Sequence, residues 1–199
     1  DPGAKPQHVI GEPQMLAGDA AFVAPEPEPY ERTGVASGPL CRSVSIPDCD
    51  AVLPGMLYLG GIESVADTRS LVQHGIRAVV CCLRELEFPS RNFDSELAYY
   101  RVDVEDIGRE PIELFLKEAA EFIHVQLASE KSVLVHCRAG VSRSAAVVAA
   151  YLMEHRGHSL RSALLLMHGC RPSVTPNLGF MEKLCDYERL RRGGGPAPC

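Results

Sequence analysis

Short apolar runs alternate with helical periodicity along the middle of the chain. The apolar runs are typical of buried strands and lie at residues 51–53, 56–59, 78–83, 99–104 and 132–137. From Pro111 to Leu127, apolar residues recur every three to four positions, which predicts an amphipathic helix with Pro111 in its first turn. Three further helical stretches follow the last strand, at residues 143–155, 159–168 and 177–191. This alternation predicts an α/β fold with a central, mostly parallel twisted sheet of about five strands flanked by helices.

The two ends of the chain lack such periodicity. Nine of the fifteen prolines fall within the first 54 residues, where Pro and Glu alternate without an apolar face. Residues 1–45 are therefore predicted to form a Pro-rich disordered tail, either a solvated spacer or a docking segment for a partner. The Gly- and Pro-rich residues 193–199 are predicted to form a flexible C-terminus, which leaves 46–192 as a single folded domain.

Charge and hydropathy exclude several classes of protein. With 26 acidic and 20 basic side chains, the net charge of −6 argues against binding of nucleic acid by bulk charge and against a polybasic membrane anchor. The longest apolar run, Ala145–Met153, has nine residues and is too short to span a bilayer, which takes about 20. We therefore expect no nucleic-acid partner and no stable membrane association, while a locally positive site for an anion is still allowed.

The eight cysteines do not form a recognisable scaffold. None stands in a C-x2-C pair, and eight cysteines in 199 residues are too sparse for a small disulfide-stapled fold. Cys81 and Cys82 are adjacent within an apolar run, which favours a buried strand. Because no secretory signal is visible either, we expect a reduced, cytoplasmic protein, with the nucleus as a second location.

One stretch carries a recognisable chemistry. The apolar strand ending at Cys137 is followed by a short loop containing Gly140 and then by a helix beginning near Arg143. Such a loop directs several backbone N–H groups to one point and so forms an anion site. Cys137 lies at this positive end beside Arg138 and Arg143, which favours its thiolate. Since the planar fork of Arg143 can bind two oxygens of a tetrahedral dianion, the stretch predicts a nucleophilic site that cleaves phosphate esters.

The same residues carry a resemblance to a known family. Cys137-Arg-Ala-Gly-Val-Ser-Arg-Ser144 resembles the phosphate-binding loop of the cysteine-based protein tyrosine phosphatase superfamily, and of its dual-specificity branch in particular. The likeness covers about residues 46–191 and includes Leu53–Gly60, Val104–Asp106 and the segment from Arg171 to Phe180. It implies a tyrosine-phosphatase-like fold, with 46–192 as the catalytic domain. It also implies hydrolysis of phosphotyrosine and phosphoserine or phosphothreonine through a phosphocysteine, with no metal and no cofactor.

The resemblance also implies roles for individual residues. Cys137 would attack phosphorus, and Ser144 would stabilise its thiolate as the leaving group of the second step. His136 would support the loop and lower the pKa of Cys137. The phosphate oxygens would be bound by the loop residues Arg138, Ala139, Gly140, Val141, Ser142 and Arg143.

A general acid must protonate the leaving oxygen, and two carboxylates are candidates. Strand alternation places Asp103 on the same face as Arg101, where the two side chains would be neighbours. Asp106 follows the strand, just before Gly108, and it matches the acid of the family. An ordinary loop carboxylate is the alternative interpretation of Asp106.

Cys82 is a candidate redox partner of Cys137. Some members of the superfamily have a cysteine on the neighbouring strand that forms a disulfide with the nucleophile on oxidation, and Cys82 is the better match. The alternative is a cysteine that is simply packed in the core.

The substrate is expected to be a phosphorylated protein, with kinases among the candidates, bound by a monomer. The chain has no Trp and therefore lacks the Trp-Pro-Asp acid loop of classical tyrosine phosphatases, which indicates a shallower pocket. The neutral Val141 and Ser142 are unlike the Lys-rich loops of lipid phosphatases, although Arg138 keeps a phosphoinositide or another non-protein phosphomonoester open. An inactive pseudophosphatase that binds phosphosites and another thiol enzyme, such as a sulfurtransferase or arsenate reductase, are remoter alternatives.

Overall fold

The computed structural model describes residues 46–193, so the predicted tail at 1–45 and residues 194–199 lie outside the described part. Five strands form one sheet: β1 (Cys49–Leu53), β2 (Leu57–Gly60), β3 (Ile76–Cys81), β4 (Ala98–Arg101) and β5 (Ser132–His136). Their order in the sheet is β1-β2-β5-β3-β4, and only the β1–β2 pairing is antiparallel. The predicted mostly parallel sheet of about five strands is confirmed.

Helices cover the sheet. They are α1 (Thr68–Gln73), α2 (Glu113–Ala128), α3 (Arg143–Arg156), α4 (Leu160–Cys170) and α5 (Leu178–Arg191), with 3-10 turns at Ile62–Val65 and Ser90–Asn92. Within residues 46–193, no helix has the length and apolar character needed to cross a membrane.

Helix α3 lies at the centre of the larger core. Every residue from Arg143 to Met153 is buried, because α3 packs against β5 on one side and against α2, α4 and α5 on others. A helix that is apolar all round can be stable only in such a position. On the opposite face of the sheet, Val79 and Leu134 pack with Leu71 of α1 in a smaller core. The first turn of α3, where the cysteine loop ends, is therefore anchored in the most buried part of the domain.

Several elements differ from the sequence-based expectation. Strand β3 spans Ile76–Cys81 instead of 78–83, so Cys82 follows the strand. Helix α1 was not predicted, since it has six residues and buries only Leu71. Strand β4 ends at Arg101 rather than at residue 104. Its partner β3 ends at Cys81, opposite Arg101, so that the pairing of the two strands stops there. The first long helix begins at Glu113, so Pro111 precedes the helix instead of lying in its first turn.

The topology places the cysteine loop at one edge of the sheet. Strand β5 is central, between β2 and β3, and all three are parallel. Their carboxyl ends therefore meet at the edge where β5 leads into Cys137, which is where ligands bind in open α/β sheets.

Candidate active site

The loop from Cys137 to Arg143 has its carbonyl groups turned outward. Five consecutive carbonyl oxygens accept hydrogen bonds of 2.8–2.9 Å from groups outside the loop: Arg138 from Ile62 N, Ala139 from Arg171 Nη2, Gly140 from Arg171 Nε, Val141 from Thr175 N, and Ser142 from Ala146 N. In a trans peptide, the C=O and the next N–H point in opposite directions. The N–H groups of this loop therefore face its interior, as an anion-binding loop requires.

Gly140 is needed for this loop conformation. Its φ is +66°, and a Cβ at this position would lie 2.7 Å from the carbonyl carbon and oxygen of Gly60. Both the backbone angle and the close approach exclude a side chain.

The Cys137 thiol lies at the interior end of the loop, where it is almost fully buried. Ser144 Oγ donates a hydrogen bond to Cys137 Sγ at 3.1 Å. Burial acts to raise the pKa of Cys137, but the hydrogen bonds from the Ser144 hydroxyl and from the amides of Ser144, Val141 and Gly140 outweigh it and hold the pKa below that of a free thiol. The site thus favours the thiolate, the nucleophilic form of cysteine.

The guanidinium of Arg143 is held beside the thiolate by Glu87. Arg143 Nη1 donates to Glu87 Oε2 at 2.7 Å and to the carbonyl of Val104 at 3.1 Å. Glu87 Oε1 also accepts from Arg138 Nη2 at 3.0 Å, so one carboxylate orients two arginines of the loop. The Nε of Arg143 is buried and has no hydrogen-bond partner among residues 46–193. Arg143 Nε can therefore donate a hydrogen bond to a phosphate oxygen.

Asp106 is hydrogen-bonded both to the cysteine loop and to Asn177, the residue that precedes α5. Its Oδ1 accepts hydrogen bonds from Ser142 Oγ at 2.6 Å and from Asn177 Nδ2 at 2.9 Å. Behind Asp106, the backbones of Gly108 and Gly179 touch, since a Cβ on Gly179 would lie 2.4 Å from Gly108 Cα. These contacts hold the loop that follows β4 against the site.

Asp103 lies apart from these contacts. It faces Arg84 at 3.9 Å and is about half exposed. Arg101 instead pairs with Glu85 and donates to the carbonyls of Leu83 and Phe88. Arg101 is thus bound by the loop after β3, and Asp103 is the partly solvated carboxylate of the two candidates.

His136 is buried on the opposite face of β5 from Cys137. Its Nδ1 lies 3.4 Å from the carbonyl oxygen of Cys137, and its ring packs edge-on against Phe88. Burial is the main cause that lowers the pKa of His136 to about 4, so the ring is neutral at pH 7. A neutral ring adds no positive charge near the thiolate.

Cys82 lies one residue beyond the end of β3, the strand next to β5. Its backbone N–H donates to the carbonyl of His136 at 2.8 Å, and its side chain belongs to the same buried core as Cys137. Burial and the neighbouring thiols raise the pKa of Cys82 well above its ordinary value. The two thiols therefore lie just beyond the ends of adjacent strands, in the same core, one stabilised as thiolate and one as neutral thiol.

The site opens into a cleft of about 520 Å³. Three arginines and three carboxylates line it, namely Arg84, Arg138, Arg143, Glu87, Glu105 and Asp106. In the described part of the chain, no group of three or more His, Cys, Asp or Glu side chains is arranged to hold a metal ion.

Three residues that complete this arrangement were not predicted from the sequence. Glu87 lies 56 positions before the arginine that it holds, and Asn177 lies 71 positions after Asp106. Arg171, which binds two loop carbonyls, is 31 positions from Gly140. Arg171 and Asn177 fall within the segment that resembles the phosphatase family, which was the one available signal, while nothing in the local pattern marks Glu87.

A parallel sheet that ends in a Cys-x5-Arg loop, with inward amides around a thiolate, defines a site of the cysteine-based phosphatase class. Residues 57–190 match the family "dual specificity phosphatase, catalytic domain". The chain belongs to this family, as the resemblance in the sequence implied.

Individual relatives support the assignment. The chain is 34% identical over 146 residues to dual specificity protein phosphatase Mpk3 of Drosophila melanogaster, covering 71% of this chain but 35% of that protein. It is 37% identical over 140 residues to human dual specificity protein phosphatase 14, covering 70% of this chain and 69% of that one. The crystal structure of human tyrosine phosphatase-like serine/threonine/tyrosine-interacting protein aligns with a TM-score of 0.67 and 36% identity, over 72% of this chain and 97% of that one.

Proposed function

We propose that this chain hydrolyses phosphotyrosine and phosphoserine or phosphothreonine esters of proteins through a phosphocysteine intermediate. The observation that carries the proposal is the Cys137 thiol, whose pKa is lowered by the inward amides and by Ser144. A thiolate in an amide-lined loop beside the buried Nε of Arg143 suits attack on a bound phosphate dianion.

In the first step, the loop amides and Arg143 Nε bind the non-bridging oxygens of the ester. Cys137 Sγ attacks phosphorus, and the bond from phosphorus to the leaving oxygen breaks. Asp106 gives its proton to that oxygen as it leaves, so that an alcohol or a phenol departs. The contacts from Ser142 and Asn177 support this role, because they hold the carboxyl group at the mouth of the loop.

In the second step, water attacks phosphorus and the Asp106 carboxylate accepts its proton. The bond between sulfur and phosphorus breaks, and inorganic phosphate leaves. Ser144 Oγ, at 3.1 Å from Cys137 Sγ, stabilises the negative charge that returns to sulfur. The thiolate is regenerated for the next turnover.

The balance of charge in the cleft supports a protein substrate over a polyphosphorylated lipid. The three arginines of the cleft are matched by three carboxylates, so the cleft has no surplus of cations for several phosphates. The lowered pKa of Cys137 supports turnover over phosphosite binding alone. Binding of phosphosites without turnover is the alternative, because one structural relative is named an interacting protein.

The test compares substrates and a nucleophile variant. We expect the parent chain to release phosphate from peptides with phosphotyrosine and with phosphothreonine, and faster than from a short-chain phosphoinositide. Cys137→Ser should lower turnover by at least about a thousandfold while phosphopeptide binding, measured by calorimetry, is retained.

Cys82→Ser is the matched control, since Cys82 is also fully buried at the end of the neighbouring strand and should be dispensable for turnover. Turnover that survives in Cys137→Ser contradicts the mechanism. Faster release from the phosphoinositide favours a lipid phosphatase, and phosphopeptide binding without turnover in the parent favours a binding module.

A further inference from the structure

Arg171 lies behind the cysteine loop, in the connection between α4 and α5. Its side chain is only 10% exposed. Nη2 donates to the carbonyl of Ala139 at 2.8 Å, and Nε donates to the carbonyl of Gly140 at 2.9 Å. One guanidinium therefore binds two consecutive peptide groups of the loop.

These two peptide groups also carry the N–H groups that stabilise the thiolate. The Ala139 carbonyl shares a planar peptide with the N–H of Gly140, and the Gly140 carbonyl shares one with the N–H of Val141. Both of these N–H groups donate to Cys137 Sγ on the inner side of the loop. Arg171 on the outside and Cys137 on the inside thus bind opposite ends of the same two peptides.

We propose that Arg171 is a positioning residue that fixes these two peptides so that their N–H groups converge on Cys137 Sγ. A planar guanidinium is required, because its Nε and Nη2 donors are spaced to reach neighbouring carbonyls together, whereas an ammonium is a single point charge. Gly140 makes the approach possible, since a Cβ there would lie 2.8 Å from Arg171 Nη2.

Two carboxylates of the β1 region orient the guanidinium from the other side. Arg171 Nη1 donates to Asp50 Oδ2 at 2.7 Å, and Nη2 also donates to Asp48 Oδ1. Pairing of this kind compensates the charge of a largely buried cation. The start of the domain is thereby connected, through Arg171, to the hydrogen bonds around the nucleophile.

If Arg171 positions these peptides, its loss lets the two N–H groups turn away and the pKa of Cys137 rises. The other charged or titratable groups near the thiol are Arg84, Arg138, Arg143, Glu87, Glu105, Asp106, His136 and Cys82. Within residues 46–193, the hydrogen bonds of the Arg171 side chain go to two carbonyls, Asp48 and Asp50, so its replacement removes no hydrogen bond of those other groups near the thiol.

The decisive variant is Arg171→Lys, which keeps the positive charge but cannot bind both carbonyls. The pKa of Cys137 is measured from the pH dependence of iodoacetamide alkylation, followed by mass spectrometry of the Cys137 peptide in the folded chain. We expect the pKa to rise by about one unit, so that alkylation well below the pKa slows about tenfold. The inference rests on the proposed nucleophilic role of Cys137, but the alkylation needs no phosphatase turnover and is informative even if that function fails.

Arg101→Lys is the matched control. Arg101 is similarly buried, with 14% of its side chain exposed, and it also binds two carbonyls and a carboxylate, but outside the cysteine loop. This variant should lose comparable stability in urea unfolding and leave the pKa of Cys137 unchanged. Should Arg171→Lys fail to fold, Asp50→Ala loosens the same guanidinium and should raise the pKa by a smaller amount. An unchanged pKa in folded Arg171→Lys, or in Asp50→Ala where the former cannot be measured, overturns the proposal.

Discussion

Replacing Asp106 with Asn removes one titratable proton while the shape of the side chain is kept. The amide oxygen of Asn can still accept the hydrogen bonds from Ser142 Oγ and Asn177 Nδ2 that Oδ1 accepts in the parent. The loop therefore keeps both hydrogen bonds, while the proton and the charge that faces Arg143 Nε at 4.0 Å are removed.

The size of the effect follows from the role of a general acid. Removing such a group reduces a rate by about 10² to 10⁴, which corresponds to roughly 3–5 kcal/mol in the barrier. The full reduction applies where the leaving oxygen is basic, as in phenyl phosphate, whose phenol resembles the Tyr side chain with a pKa of about 10. With p-nitrophenyl phosphate, whose leaving group is far less basic, we expect the reduction in kcat to be at least tenfold smaller.

The assay measures kcat for both aryl phosphates in the parent, in Asp106→Asn and in Asp103→Asn. Asp103 is a matched control, because the same charge is removed three residues earlier from a side chain of similar exposure, 48% against 37%. Asp103→Asn should change kcat less than twofold. An equal reduction for the two substrates, or an equal effect of the two substitutions, refutes the assignment of Asp106 as the acid.

Three further predictions follow from the groups around the nucleophile. Ser144→Ala removes a hydrogen bond to a charged sulfur worth about 1.5 kcal/mol, so the pKa of Cys137 should rise by about one unit and the phosphocysteine should accumulate in quenched-flow experiments. The pKa of His136 falls from 6.5 to about 4 on folding, so the unfolded chain binds more protons between these values and stability is lost as the pH falls through this window. In urea unfolding, the loss between pH 7 and pH 4 should be greater in the parent than in His136→Gln by about 3 kcal/mol. Mild peroxide, which oxidises Cys137 to the sulfenic acid, should yield a peptide linked from Cys82 to Cys137 with release of water; overoxidised Cys137 without the link would exclude the pairing.

The contiguous part of the site could be predicted from the sequence. The strand, the glycine and the helix N-terminus stand within thirteen residues, from Ser132 to Ser144, so that the existence of an anion-binding loop could be predicted from the local pattern, although its carbonyls are held outward by distant groups. The apolar run within α3 likewise predicts a buried helix, because it has no polar face. The mostly parallel sheet could be predicted from the alternation of short apolar runs with helical periodicity, which is also a local pattern.

The supporting residues could not be predicted in this way. Glu87 and Arg171 are charged residues in connections between elements, where the ordinary expectation is exposure to solvent. Their partners are the side chain of Arg143 and two loop carbonyls, which only the tertiary fold brings within reach. The early end of β4 has the same origin, since it depends on where the partner strand stops rather than on the residues of β4.

The matched charges of the cleft have a consequence for how substrates arrive. Three arginines face three carboxylates, in a chain whose net charge is −6, so that an approaching phosphorylated protein meets little long-range attraction. Ionic screening at physiological salt limits the remaining field to about 8 Å. We expect association at the unsteered rate of about 10⁵–10⁶ M⁻¹s⁻¹, with little dependence on salt. Selection among phosphorylated proteins then falls to contacts made after collision, at the rim where Leu86 is 91% exposed, and not to diffusional guidance.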